Sequence, residues 1–143
     1  MKKITFIGLG VMGFPMAGHL SKEGYNVTVY NRSDGKSKLW IKNHIGAYST
    51  SIKKAVSDSD IVFSCVGNDT DLREITLGTD KAFSSMKPGS IFIDHTTTSS
   101  DIAVELSKKA EKLNIHFLDA PVSGGEVGAI KGELTVMIGG ENA

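Results

Sequence analysis

Ile4-Thr5-Phe6-Ile7-Gly8-Leu9-Gly10-Val11-Met12-Gly13 is the stretch on which the fold turns. Ile4–Ile7 is short, apolar and β-branched, which predicts a buried strand. Gly8 to Gly13 then spells G-x-G-x-x-G. From Val11 to Glu23 the spacing of Met12, Met16 and Leu20 predicts one apolar helix face, with Gly24 as the stop. Strand, glycine turn and helix follow each other without a gap. A second strand, Val27–Tyr30, comes at the distance a βαβ unit requires.

The same alternation continues outward. A helix is predicted over Asp34–Ile45, closed by Gly46, then a short strand at Ala47–Ser49 and a short helix at Ser51–Ser57. Asp60–Val66 is an almost wholly apolar strand. Leu72–Leu77 is helical and ends on Gly78. Pro88-Gly89 turns the chain into a strand at Ser90–Asp94. Ser99 or Ser100 caps a helix whose inward stripe is Ala103, Leu106, Ala110 and Leu113. Strands follow at Ile115–Leu118 and Leu134–Ile138. Strands apolar on both faces, separated by helices, require parallel pairing with crossovers. The predicted fold is therefore a doubly wound, mostly parallel α/β sheet.

Composition sets the outer limits. The 143 residues suit one domain. Apolar residues at 40% and charged residues at 22% suit a soluble globular chain with a real core. Sixteen basic residues balance 16 acidic ones, so no overall charge recruits nucleic acid or an anionic membrane. One cysteine excludes an internal disulfide. Lys2-Lys3 before an apolar run imitates a leader, but Gly8, Gly10, Gly13 and Pro15 break it, and no apolar run reaches the ~18 residues of a membrane span. The expectation is a cytoplasmic protein.

The glycine hexapeptide has a physical reading. Gly8 permits the tight turn, Gly10 lets backbone approach a diphosphate, and Gly13 lets the helix lie close on the strand. Free N–H groups at the helix start, with the positive end of the helix dipole, then hold the phosphates through Gly8, Leu9, Gly10, Val11, Met12 and Gly13. Dinucleotide readers that prefer NAD place an acid at the end of the second strand. Here Asn31 stands there, eighteen residues after Gly13, followed by Arg32 and Ser33. An amide, a guanidinium and a hydroxyl suit a 2′-phosphate, so NADP is expected over NAD. Asp34 is a counter-signal, although it also suits a helix start.

Ligands on such sheets lie beyond the carboxyl ends of the strands. Three of those ends carry unusual chemistry: Val66-Gly67-Asn68-Asp69, Asp94-His95 with five hydroxyls from Thr96 to Ser100, and Asp119-Ala120-Pro121-Val122-Ser123-Gly124-Gly125. Ser99 and Ser100 are expected to cap the next helix. Thr96, Thr97, Ser123, Gly124 and Gly125 are read as functional, since hydroxyls and exposed backbone N–H groups at these ends suit a nicotinamide ring and a carboxylate-bearing substrate.

These residues resemble the N-terminal domain of the β-hydroxyacid dehydrogenases, the family of 3-hydroxyisobutyrate dehydrogenase and related semialdehyde reductases. The resemblance rests on Gly8 to Ala17, Asn31-Arg32-Ser33, Asp94 to Thr97, Asp119 to Gly125 and Gly132 to Thr135, and runs from residue 4 to 140. It implies a Rossmann sheet, a cofactor at Gly8–Gly13, and a small acid held by Ser123, Gly124 and Gly125. The Asn31-Arg32-Ser33 triplet looks like that of the NADP-using members. Val66-Gly67 stands where many members have Leu-Pro, a departure within the cofactor loop.

Hydride transfer at a hydroxyl carbon also needs a proton carrier on its oxygen. The resemblance implies a lysine for that role, on a helix after the cofactor domain, and a helical C-terminal domain that makes an oligomer. The sequence stops at Ala143, before that helix. The expectation is part of a larger enzyme, with no catalytic residue of its own, which alone binds cofactor weakly and turns over little. Lys131 is read as a solvated loop residue.

Four histidines show no metal-ligand spacing. His116 is read as half-buried, His95 as a loop residue beside the cofactor region, Cys65 as an inert core thiol, Trp40 as packing or an open patch, and Met12 and Met16 as core. Two alternatives stay open. One is an imine reductase-like enzyme; the other is a noncatalytic NADP-binding module.

Overall fold

The computed structural model describes residues 2–140. Its frame is a six-stranded, all-parallel sheet. The strands are β1 (Lys3–Ile7), β2 (Asn26–Tyr30), β3 (Ala47–Tyr48), β4 (Ile61–Ser64), β5 (Ile91–Asp94) and β6 (His116–Asp119), in the order β3-β2-β1-β4-β5-β6. The order reverses between β1 and β4. Helices α1 (Gly13–Lys22), α2 (Asp34–Asn43), α3 (Ile52–Val56), α4 (Asp69–Thr76), α5 (Ala82–Ser85) and α6 (Ser100–Lys112) fill the crossovers.

Alternation along β1 shows why both faces need helices. Ile4 and Phe6 join Val27, Val29, Ala17 and Trp40 in one buried cluster. Ile7 points the other way and joins Val56, Val62, Leu72, Phe92, Ile102 and Leu106 in a second. Thr5 shares that second face, and its hydroxyl donates to the Ala55 carbonyl at 2.5 Å. A parallel strand with apolar residues on both sides is stable only when covered twice.

Several expectations need correction. The stretch 134–138 does not join the parallel sheet. Only β8 (Thr135–Val136) is strand, paired antiparallel with β7 (Val122–Ser123), and Gly139 bridges back to Asp119. Just eleven residues separate these strands, and the exposed Val136, Met137 and Ile138 lack the double cover of a parallel strand. Between β7 and β8 lies α7 (Gly125–Lys131), which the glycines had concealed, so Lys131 ends a helix rather than sitting in a loop. The four-residue α5 was also unforeseen. Leu113 caps the end of α6 and is exposed, because the helix closes through the Leu113 N–H to Ala110 O and the Asn114 N–H to Glu111 O before another inward turn. His116 is exposed on the edge strand, not half-buried. Trp40 is fully buried. Ser99 caps α6 by accepting from the Ile102 N–H at 3.3 Å.

Candidate functional site

The reversal in strand order leaves a crevice at the carboxyl ends of β1 and β4, where open α/β sheets hold ligands. A cavity of about 450 Å³ opens there. The turn after β1 forms one wall through Gly8, Gly10, Val11, Met12 and Gly13; Asn31 and Arg32 come from the end of β2, and Val66 and Gly67 from the end of β4. The corner is therefore open rather than plugged.

Each glycine of the turn has a distinct geometry. Gly8 has φ +100°, and a Cβ there would lie 2.1 Å from the Cys65 carbonyl oxygen. A Cβ on Gly13 would lie 1.9 Å from the Gly8 carbonyl oxygen, so only glycine lets α1 start against the turn. A Cβ on Gly10 would meet nothing within 4 Å and would project into open space. Tight turn, open approach and close helix packing are thus divided among three positions as the sequence reading expected.

The amides divide too. The Gly8 N–H donates to Tyr30 O at 2.9 Å, and the Leu9 N–H to Asn31 Oδ1 at 2.9 Å. Leu9 is completely buried, so it anchors the turn and does not line the cavity. Among the described residues, the N–H groups of Val11 and Met12 have no protein acceptor. They are orphan donors at the start of a ten-residue helix, the arrangement that binds anions. Met12 lines the cavity and is only half-buried, which corrects its reading as core. Asn31 also donates through Nδ2 to Ser33 O at 3.1 Å, so its amide braces the turn and the β2 end together. Arg32 is 80% exposed; Ser33 sits at the N-cap of α2 without a capping side-chain bond and outside the cavity lining.

Thr96 and Thr97 lie apart from this cavity. Thr96 is buried, and its Oγ1 accepts from the Val66 N–H at 3.0 Å, which ties the β5 end to the cavity-lining loop after β4. Thr97 is exposed. Beneath them Asp94 is fully buried. Its Oδ1 accepts from Ser64 Oγ at 2.8 Å and the Thr96 N–H at 3.1 Å, while Oδ2 has no partner. Burial pushes its pKa up to about 6; the Thr96 and Ser64 bonds pull against that, and the charge of Asp119 adds to it. His95 stacks on Phe63 with centroids 5.6 Å apart and bonds Ala120 O through Nδ1 at 2.7 Å. Burial holds its pKa down. Cys65 is partly buried and pushed up to about 11, first by burial and then by Asp94, so it stays a thiol at neutral pH.

Ser123, Gly124 and Gly125 join β7 to α7. Ser123 pairs in the small hairpin, and Gly124 and Gly125 have φ +131° and +64°. All three are exposed. The sequence reading missed other residues that line the cavity, Tyr30, Ile52, Ile75, Asp71, Glu74 and Lys81 among them. One signal pointed there: Asp71 and Glu74 are three apart on the helix after β4, so they share a face. Among the described residues no group of three or more His, Cys, Asp or Glu is placed to hold a metal, and no helix is long and apolar enough to cross a membrane.

Parallel topology, a glycine corner with free amides and a crevice at the order reversal define a dinucleotide-binding domain of the Rossmann type. The chain belongs to the family described as the NAD binding domain of 6-phosphogluconate dehydrogenase, matched over residues 3–143, and within it to the β-hydroxyacid dehydrogenase-like members. It is 54% identical over 143 residues to an uncharacterized oxidoreductase of Shewanella frigidimarina, covering all of this chain and 49% of that protein. The solved structure of Mycobacterium tuberculosis 3-hydroxyisobutyrate dehydrogenase with L-serine matches with a TM-score of 0.92 at 33% identity, over 99% of this chain and 47% of the other. Psf3 in complex with NADP+ and 2-OPP matches with a TM-score of 0.90 at 25% identity, over 96% and 49%. The chain spans about half the length of the curated relatives it matches.

Proposed function

We propose that this chain is the NADP-binding part of an oxidoreductase acting between a small 3-hydroxyacid and its semialdehyde or keto form. The observation that carries the reading is the open crevice, with a Cβ-free Gly10 and the unpaired amides of Val11 and Met12 on its wall. Those amides would hold the diphosphate. Arg32 would face a 2′-phosphate, with Asn31 and Ser33 shaping the end of β2. Val66 and Gly67 would flank the cofactor, and Thr96 and Thr97 would set the nicotinamide side. The nicotinamide supplies the hydride donor or acceptor when bound. Ser123, Gly124 and Gly125 would take the substrate carboxylate through hydroxyl and backbone N–H groups. The proton carrier is assigned to a lysine outside residues 1–143, so the chain contributes binding and orientation. Two similarities support this reading: a 3-hydroxyisobutyrate dehydrogenase, and a protein seen with NADP+.

Fluorescence titration with NADPH and NADH tests it. NADPH is expected to bind tighter, and Arg32→Ala to erase the difference. Equal binding of both by the unmutated chain overturns the cofactor assignment.

A further inference from the structure

The end of β2 carries the basic residue of the triplet, but α4 brings acids to the same crevice. Asp71 and Glu74, one helical turn apart on α4, both line the crevice. Asp71 is seated rather than free. Its N–H donates to Asn68 Oδ1 at 2.9 Å, which fixes the first turn of α4. Its Oδ2 lies 2.5 Å from where a Cβ on Gly67 would be, so the carboxylate occupies space that only glycine leaves. Its Oδ1 is 3.8 Å from Arg32 Nη1. Arg32 is 80% exposed and Asp71 only 26%, so the acid is the fixed partner and the arginine the one that swings to it. Glu74 raises the pKa of Tyr30 together with Asp34, after burial, while Arg32 lowers it. Arg32, Asp71, Glu74 and Lys81 thus line the same crevice as Tyr30.

We propose that Asp71, backed by Glu74, is a specificity-determining pair that opposes a 2′-phosphate and keeps the chain's preference for NADPH over NADH small. The inference rests on the cofactor reading above, with Arg32 as the phosphate's partner. A phosphate dianion arriving at Arg32 has to displace Asp71 from the guanidinium and then remain near two carboxylates. A ribose with free hydroxyls meets no such repulsion. Cofactor choice in this chain is then set by two elements that pull oppositely: the triplet after β2 and the first two turns of α4. An acid in the first turn of a helix also has a purely structural use, since it complements the helix dipole. That use predicts a stability change and no change in the ratio of the two affinities.

The test measures dissociation constants for NADPH and NADH, at low and at raised salt, for the chain, Asp71→Asn, Glu74→Gln, the double variant and Arg32→Ala. The double variant is expected to bind NADPH roughly three- to tenfold tighter, with NADH moved by less than about twofold. Raised salt is expected to shrink the gain. Asp71→Asn alone should give most of it, and its melting temperature reports any effect on the fold. The proposal is overturned if the NADPH-to-NADH ratio is unchanged, or if it rises only because NADH binds worse. If Arg32→Ala leaves the ratio untouched, the cofactor reading itself fails. If Arg32→Ala collapses the ratio while the α4 variants do nothing, only the present inference falls.

Discussion

Two glycine-bearing segments lie beyond the carboxyl edge of the sheet, and they are held in opposite ways. The corner at Gly8–Gly13 is clamped on backbone atoms: added Cβ atoms at its first and third glycines would strike carbonyl oxygens at 2.1 and 1.9 Å. The segment from β7 through β8 is held by a two-residue hairpin, one bridge from Gly139 to Asp119, and contacts of α7 with α1. Its Val127, Ile130 and Val136 are exposed, and a Cβ on Gly125 would meet nothing. Backbone packed on backbone cannot relax cheaply, so the corner has its binding shape before any ligand arrives. The second segment owes its shape to a few local bonds, which places it at the low-stability end of the molecule.

The largest effect that sharpens this contrast is expected at Gly13. Gly13→Ala should cost about 3 kcal/mol or more in urea denaturation, because the offending atom is a main-chain carbonyl at the root of α1. Gly125→Ala strains only its own φ of +64° and should cost about 1 kcal/mol. Gly10→Ala separates shape from binding: its stability should stay within about 0.5 kcal/mol, while NADPH binding weakens at least about tenfold, since the methyl fills the phosphate approach. Equal stability losses at Gly13 and Gly125 would end the comparison.

Asp94 lies between the two segments and carries the next effect. Its folded pKa is raised from 3.8 to about 6, so the folded chain binds a proton there that the unfolded chain has released. The sign follows: stability from this group is fully present below about pH 4 and is lost as pH rises through 6. The swing is about 3 kcal/mol. Asp94→Asn removes it. The stability difference, wild type minus variant, should therefore fall by about that amount between pH 4 and pH 7. Asp58, Asp60, Asp69 and Glu105, whose pKa values are lowered by their partners, act with the opposite sign in both proteins and cancel in the difference. A flat difference would mean that the unpartnered Oδ2 reaches water.

The same contrast explains what could be read in the sequence. Periodicity is strong where strands are buried twice, so β1, β2, β4, β5 and β6 were legible, as was the glycine corner between β1 and α1. It fails where elements are short and exposed. The glycines of α7 read as turn residues, and 134–138 read as another sheet strand because it is almost wholly apolar, with nothing to mark its exposure. In the crevice, the β2 end announced Arg32 through its place after a strand. Asp71 and Glu74 were not singled out, because they come from a helix thirty-nine or more residues after Arg32. Local sequence reports a turn; it does not report which distant helix face closes over it.

His19 gives the smallest and most discriminating test. It sits on α1, the helix that begins at the glycine corner, yet its Nε2 lies 2.8 Å from Ala129 O and 3.0 Å from Ile130 O, at the last turn of α7. Its ring also packs over Gly132, with Cε1 3.3 Å from the position of a Cβ there. Nε2 must carry the proton, since both partners are acceptors. One side chain of the rigid region thus fastens the loose one at its helix end, where Ala129 O also accepts from the Gly132 N–H. His19→Ala should cost about 1 kcal/mol. Amide hydrogen exchange should locate that loss: residues 125–136 exchange faster, while β1 and the β4 end keep their protection. Uniform loss across the chain would show that the two segments unfold as one unit, and that the corner's rigidity does not stop where its backbone clamps do.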